Sequence, residues 1–136
     1  MKKLMLTVWM LLICIGVFTG DVGALLSRGQ VSFNINPAPS GNMYFQLYPL
    51  FHASFFEMTG HFFMFSVLTY LVYINFKQLH LTFLIALIFA VTTELLQPFF
   101  GRGADLYDLL ANMIGIFLVV FLIAAEAGTD PASSGE

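Results

Sequence analysis

With 136 residues, 59% apolar and only 10% charged, the chain has room for one domain and too few charges for a soluble one, whose charged share is about a quarter. Together with a mean hydropathy of +0.87, this predicts an integral membrane protein. A net charge of -3 without a basic patch excludes nucleic acid as a partner, and the one cysteine, Cys14, excludes an intrachain disulfide and paired-cysteine metal spacing.

Lys2 and Lys3 precede an apolar run over residues 4–19. A signal peptide begins in the same way. Asp21 and the bulky residues beyond it make a poor cleavage site, so 1–20 reads as an uncleaved first transmembrane helix, with Cys14 as an apolar filler. Residues 21–54 form the one long connection. It holds Pro37, Pro39 and Pro49 and the string NINPAPSGN. Proline fixes φ and lacks an N–H, so irregular structure is expected over 22–54. Phe33, Tyr44, Phe45, Tyr48 and Phe51 suit the bilayer interface; the segment either lies on that surface or covers a site as a lid.

Three more apolar runs follow, at 55–76, 81–96 and 106–125, each near the roughly 20 residues that cross a hydrocarbon core. Lys77, Gln78 and His80 separate the first two, and Pro98 ends the middle one. Residues 55–125 are therefore expected to form a three-helix core. The tail 126–136, EAGTDPASSGE, is small, polar and acidic and is expected to be disordered. The expected fold is all-α: an integral membrane bundle of about four transmembrane helices. The double lysine before the first span places both termini in the cytoplasm by the positive-inside rule.

Span parity then gathers the polar residues. Glu57 and His61 open the second span, Glu94 and Gln97 close the third, and Arg102, Asp105, Asp108 and Asn112 lead into the fourth. All eight fall at the outer end, while deeper positions such as Leu68 and Ile116 are apolar, which argues for a cup rather than a transport path. Spacings of three and four put Glu57 with His61, Glu94 with Gln97, and Asp108 with Asn112 on shared helix faces. A charged side chain at a helix centre costs about 2.5–3.5 kcal/mol on insertion scales, so these groups are expected to face one another or water.

Each group has a plain and a sharper reading. Asp105 caps the fourth helix, with or without a second role. Arg102, between Gly101 and Gly103, either pairs with a neighbouring acid or grips a lipid phosphate bidentately. Glu94, the deepest of the acids, bonds across helices to His61 or Arg102, or works as an acid or base. Asp108 and His61 are the other acid–base candidates, and His61 can equally be an interhelical contact. Glu57, His61 and Glu94 are the candidate ligands of a divalent metal; no other cofactor is expected. His52 and His80 read as interfacial. Ser54 and Ser66 sit in no nucleophile elbow, and no phosphate-binding loop is present.

The stretch ELLQPFFGRGAD over 94–105, continuing through Asp108, Asn112 and Gly115, resembles the signature of the VanZ-like family: an acid, a Gln, an aromatic run, an Arg, two Asp, an Asn and a Gly across a helix-loop-helix. The earlier EMTGHF over 57–62 is similar to the family's acid-Lys-x-x-His-Phe segment, with Met58 where a lysine is usual. The resemblance covers residue 57 to about residue 121. It implies a small multi-pass protein of the bacterial plasma membrane, with four or five spans. The family takes its name from a member that raises resistance to the glycopeptide teicoplanin. The expectation is therefore an outward-facing accessory or binding protein of the cell envelope that engages a lipid-linked cell-wall precursor or a glycopeptide. The alternatives are an enzyme acting on a lipid phosphate headgroup and, third, a small transporter. Oligomeric state is open at this point.

Overall fold

The computed structural model describes residues 1–45 and 48–129, with the backbone alone at Thr129. Among them are five α-helices: α1 (Lys2–Phe18), α2 (Val22–Arg28), α3 (Phe55–Phe76), α4 (Leu79–Leu96) and α5 (Leu106–Thr129). Short 3-10 turns lie at Gly41–Met43, Leu50–His52 and Gln97–Phe100. No strand occurs among the described residues. Three stretches, Phe55–Phe76, Leu79–Phe100 and Leu106–Gly128, are long and apolar enough to cross a membrane.

Local chemistry sets the ends. The Ser54 side chain accepts from Glu57 N–H and starts α3. Lys77, in the left-handed conformation, stops it, and only Lys77 and Gln78 join α3 to α4, which forces an antiparallel pair. Pro98 tightens the end of α4 into a 3-10 turn that closes on Gly101 at φ +75. There only glycine is unstrained, and an added Cβ would also lie 2.9 Å from Asn34 Nδ2.

The helices alternate in direction. α1 runs antiparallel to α3: Asn75 donates to Lys2 O at 3.3 Å, Trp9 Nε1 donates to Met64 O at 2.9 Å, and the Phe18 ring stacks on Phe100 at 4.4 Å. The end of α1, the start of α3, the end of α4 and the start of α5 thus share one end of the bundle. Lys2, Lys3 and Lys77 share the other.

Between apolar helices in lipid there is little hydrophobic drive, so close backbone approach and interhelical hydrogen bonds carry association. α3 and α5 meet at Gly115, where a Cβ would lie 2.5 Å from Phe62 O and 2.8 Å from Ser66 Oγ. Ala86 and Ala90 give α4 a similar small-residue face. The core is Ile13, Val17, Phe65, Leu68, Val72, Ala86, Ala90 and Ile116. The exterior is apolar as well: Val8, Leu11, Leu12, Phe63, Leu84, Ile88, Phe117 and Phe121 are all exposed, the reverse of a soluble surface.

Four details differ from the sequence reading. α4 begins at Leu79 rather than 81, and α5 runs to Thr129 rather than 125; the remainder of the tail, 130–136, lies outside the described residues. α1 has 17 residues and is shorter than the three long helices. The connection expected to be irregular over 22–54 opens with α2, because the Asp21 carboxylate accepts from Ala24 N–H at 2.7 Å and Gly29 closes the turn. The prolines that signalled irregularity all lie beyond it.

Candidate functional site

The polar residues assemble at the end of the bundle that carries the long connection. His61, from α3, sits at the centre and is 3% exposed. Its Nδ1 lies 3.1 Å from Asn112 Oδ1 on α5 and 3.5 Å from Glu94 Oε1 on α4. Its Nε2 lies 3.5 Å from Asp108 Oδ2, one turn earlier on α5. Asn112 Nδ2 donates to Glu94 Oε1 at 3.3 Å. A carboxylate only accepts, so that bond orients the Asn112 amide and leaves its oxygen for an Nδ1–H of His61. Nε2 then faces Asp108, and because a carboxylate only accepts, that contact requires a proton on one of the two groups.

Glu94 and Asn112 are fully buried and Asp108 nearly so. A buried charge is costly unless it is paired and hydrogen-bonded. The other Glu94 oxygen accepts from Asp105 N–H at 3.3 Å, so this acid joins the close of α4 to the start of α5. Asp105 accepts from Tyr107 N–H at 2.8 Å, the N-capping role expected of it.

Arg102 and Glu57 form a second unit at the rim. Arg102 Nη2 donates to Glu57 Oε2 at 2.5 Å, with the guanidinium mostly buried and the carboxylate about a third exposed. The neighbouring acid expected to pair with Arg102 is thus Glu57. Gln97 stays apart. It is fully buried, its carbonyl accepts from Arg102 N–H at 3.2 Å, and its side-chain amide has no hydrogen-bond partner among the described residues. His52 and His80 are exposed.

The long connection roofs this end. Asn36 N–H donates to Phe99 O at 2.8 Å. Residues 43–45 then make a single parallel bridge to Ala104, through Ala104 N–H to Met43 O at 2.8 Å and Phe45 N–H to Ala104 O at 2.9 Å. Tyr48 then reaches in, and its hydroxyl donates to Asp105 Oδ2. Tyr107 braces it edge-on and donates to Tyr48 O at 2.6 Å. Burial, and then the Asp105 carboxylate, hold the Tyr48 phenol above its ordinary pKa, so it remains a neutral donor.

Between roof and floor lies a cleft of about 260 Å³, lined by Asn42, Met43, Tyr48, Glu57, Arg102, Gly103, Ala104, Asp105 and Asp108. Three carboxylates face one guanidinium, which is already paired. Such a lining favours ligand hydroxyls, amides and amines over free anions. Sequence reasoning missed Tyr48 and Tyr107 as site residues. Tyr48 lies 57 positions from Asp105, so no local pattern joins them; Tyr107 sat inside the polar stretch and was passed over as an aromatic. Among the described residues no three His, Cys, Asp or Glu side chains are grouped to hold a metal ion.

An apolar exterior wrapped around a buried polar cluster defines a helical membrane protein. Residues 4–125 match the model of the VanZ/LLP1 family, and the chain belongs to that family. It is similar to the uncharacterized membrane protein YwnJ of Bacillus subtilis (strain 168), at 29% identity over 121 residues, which span 87% of this chain and 86% of that protein. No solved structure matches it.

Proposed function

We propose that this chain is a multi-pass protein of the bacterial plasma membrane that binds the headgroup of a lipid-linked cell-envelope precursor at the outer face, and that it acts as an accessory in the envelope's response to glycopeptides such as teicoplanin. In this reading α1 is a fourth span. Its 17 residues rise about 25 Å, and it lies along α3 from Asn75 to the 3-10 turn at Phe100. Three lysines at one end of the bundle, against a paired Arg102 and the exposed Arg28 elsewhere, favour cytoplasmic termini and an outward cleft.

The cleft carries the proposal. It is open, it carries three carboxylates, a guanidinium and a tyrosine hydroxyl, and it is framed by the long connection, α3, the turn after α4 and the start of α5. Its chemistry selects the hydroxyl- and amide-bearing part of a precursor rather than its phosphate, since Glu57 occupies Arg102. Asp108→Asn and Tyr48→Phe are expected to lower binding of a lipid-linked sugar-peptide precursor in nanodiscs by about tenfold or more, the loss of roughly one good charge-assisted hydrogen bond. Glycopeptide tolerance is expected to fall in parallel. Full tolerance and unchanged binding at equal expression would sink the proposal.

One observation favours a catalytic alternative. His61 stands against Asp108 with its tautomer directed through Asn112 by Glu94, an arrangement suited to general acid–base work on a lipid phosphate headgroup. The check is purified protein with polyprenyl-phosphate and lipid-linked substrates, with and without a divalent cation. Turnover abolished in His61→Gln would establish it, and none across the panel would remove it.

A further inference from the structure

The cleft has a neighbour of opposite character. Between α1, α2 and α3 lies a groove of about 190 Å³ whose walls include Gly16, Leu25, Leu26, Phe56, Gly60 and Met64. The groove exists because side chains are missing where α1 and α3 face it. A Cβ on Gly60 would touch nothing within 4 Å, and one on Gly16 would meet only the end of Met64, at 3.7 Å. α2, the helix the prolines of the long connection had hidden, supplies its outer wall through Leu25 and Leu26.

Glu57 and Arg102 line both spaces. The ion pair therefore stands at a threshold, with hydroxyl- and carboxylate-bearing side chains on one side and, on the other, a mainly hydrocarbon wall that His61 also lines. A soluble ligand would need only the cleft. An amphiphile needs both, joined at the depth where its headgroup gives way to its chain.

We infer that the groove between α1, α2 and α3 holds the headgroup-proximal part of the hydrocarbon chain of the same long-chain lipid whose hydroxylated headgroup occupies the cleft, with the Glu57–Arg102 pair beside the linkage between them. This rests on the headgroup assignment above and adds the lipid's chain to it. Continuity through the shared ion pair is what singles out this occupant over a bulk lipid. It also gives the resident α2 a purpose, as the wall that separates the bound chain from the surrounding bilayer.

The test uses the full chain in phosphatidylcholine nanodiscs doped with three photoreactive lipids. One is a glycolipid with a diazirine near the head of its chain, the second a phosphatidylcholine with the diazirine at the same place, and the third a glycolipid with the diazirine on its sugar. Cross-links are mapped by mass spectrometry. The chain-labelled glycolipid is expected to mark Leu25, Phe56 or Met64 at least about tenfold more than the matched phosphatidylcholine. Gly60→Leu, which fills the groove, is expected to remove that labelling while the sugar probe still marks Tyr48 and its surroundings; Gly16→Leu gives a second, independent filling should Gly60→Leu fail to fold. Equal labelling by both chain probes makes the occupant a bulk lipid and overturns the inference. Sugar labelling of the cleft with the chain label scattered elsewhere overturns it alone and leaves the headgroup assignment standing. Absence of sugar labelling in the cleft overturns both.

Discussion

Asn112 and Gln97 are two amides buried to the same extent, and they sit on opposite sides of a hydrogen-bonding divide. Asn112 touches both His61 and Glu94, so its removal leaves two buried polar groups each short of a partner. An unsatisfied buried group costs about 1–3 kcal/mol. Asn112→Leu is expected to lower stability by about 2 kcal/mol or more in detergent unfolding titrations. Among the described residues Gln97 bonds to nothing through its side chain, so Gln97→Met keeps the volume and removes the desolvated amide. That variant is expected to be neutral or stabilised; a loss above about 1 kcal/mol would show that the amide is satisfied after all. Both residues were legible in the sequence as polar groups at one end of the bundle. Their difference was not, because helical spacing places residues on a face without saying how far that face is rotated toward its neighbours.

At the scale of the helix, the α3–α5 contact sets that rotation. Gly115 lets α5 approach until a Cβ would stand 2.5 Å from the Phe62 carbonyl, and this brings Asp108 and Asn112, about two turns and one turn before the glycine, against His61. Gly115→Ala is expected to cost about 1–3 kcal/mol through overpacking against backbone that cannot yield, and to separate the polar cluster as the helices part. Gly60→Ala, in open space on α3, is the matched control and is expected to be neutral or slightly stabilising, since alanine is the better helix former by up to about 1 kcal/mol. Thermal unfolding of the pair in one detergent compares them directly. Equal melting temperatures would mean that the close approach at Gly115 is not a structural constraint. The connection over 21–54 shows the limit of pattern reading at this scale. Its prolines announced irregularity, but Asp21 as a cap and Gly29 as a stop bound a seven-residue helix ahead of them.

For the whole molecule, orientation sets which face of the membrane meets the cleft. In a Cys14→Ala background, Ser40→Cys reports on the roof and Gln78→Cys on the α3–α4 turn, both at exposed positions. An outward cleft predicts that a membrane-impermeant maleimide labels Ser40→Cys in intact cells and Gln78→Cys only after lysis. The reverse pattern would turn the cleft to the cytoplasm and remove the envelope headgroup as its ligand. The lysines at one end favour the first result, because cationic residues are retained on the cytoplasmic side.

Composition alone determined that this is a membrane protein, because a chain with so few charges cannot cover a soluble surface. The apolar runs located the long helices, with α3 at Phe55–Phe76 as expected, and the alternation of antiparallel helices joined by short turns gathered the polar residues at one end. The signature over 94–115 pointed to the family that residues 4–125 match. Only the tertiary structure decided the partners: Arg102 with Glu57, Asn112 between His61 and Glu94, Tyr48 on Asp105, and Gln97 with none among the described residues. Those pairings depend on helix rotation, on one glycine contact and on the path of a loop that crosses the site. Each is a long-range packing outcome, and no local sequence pattern encodes it.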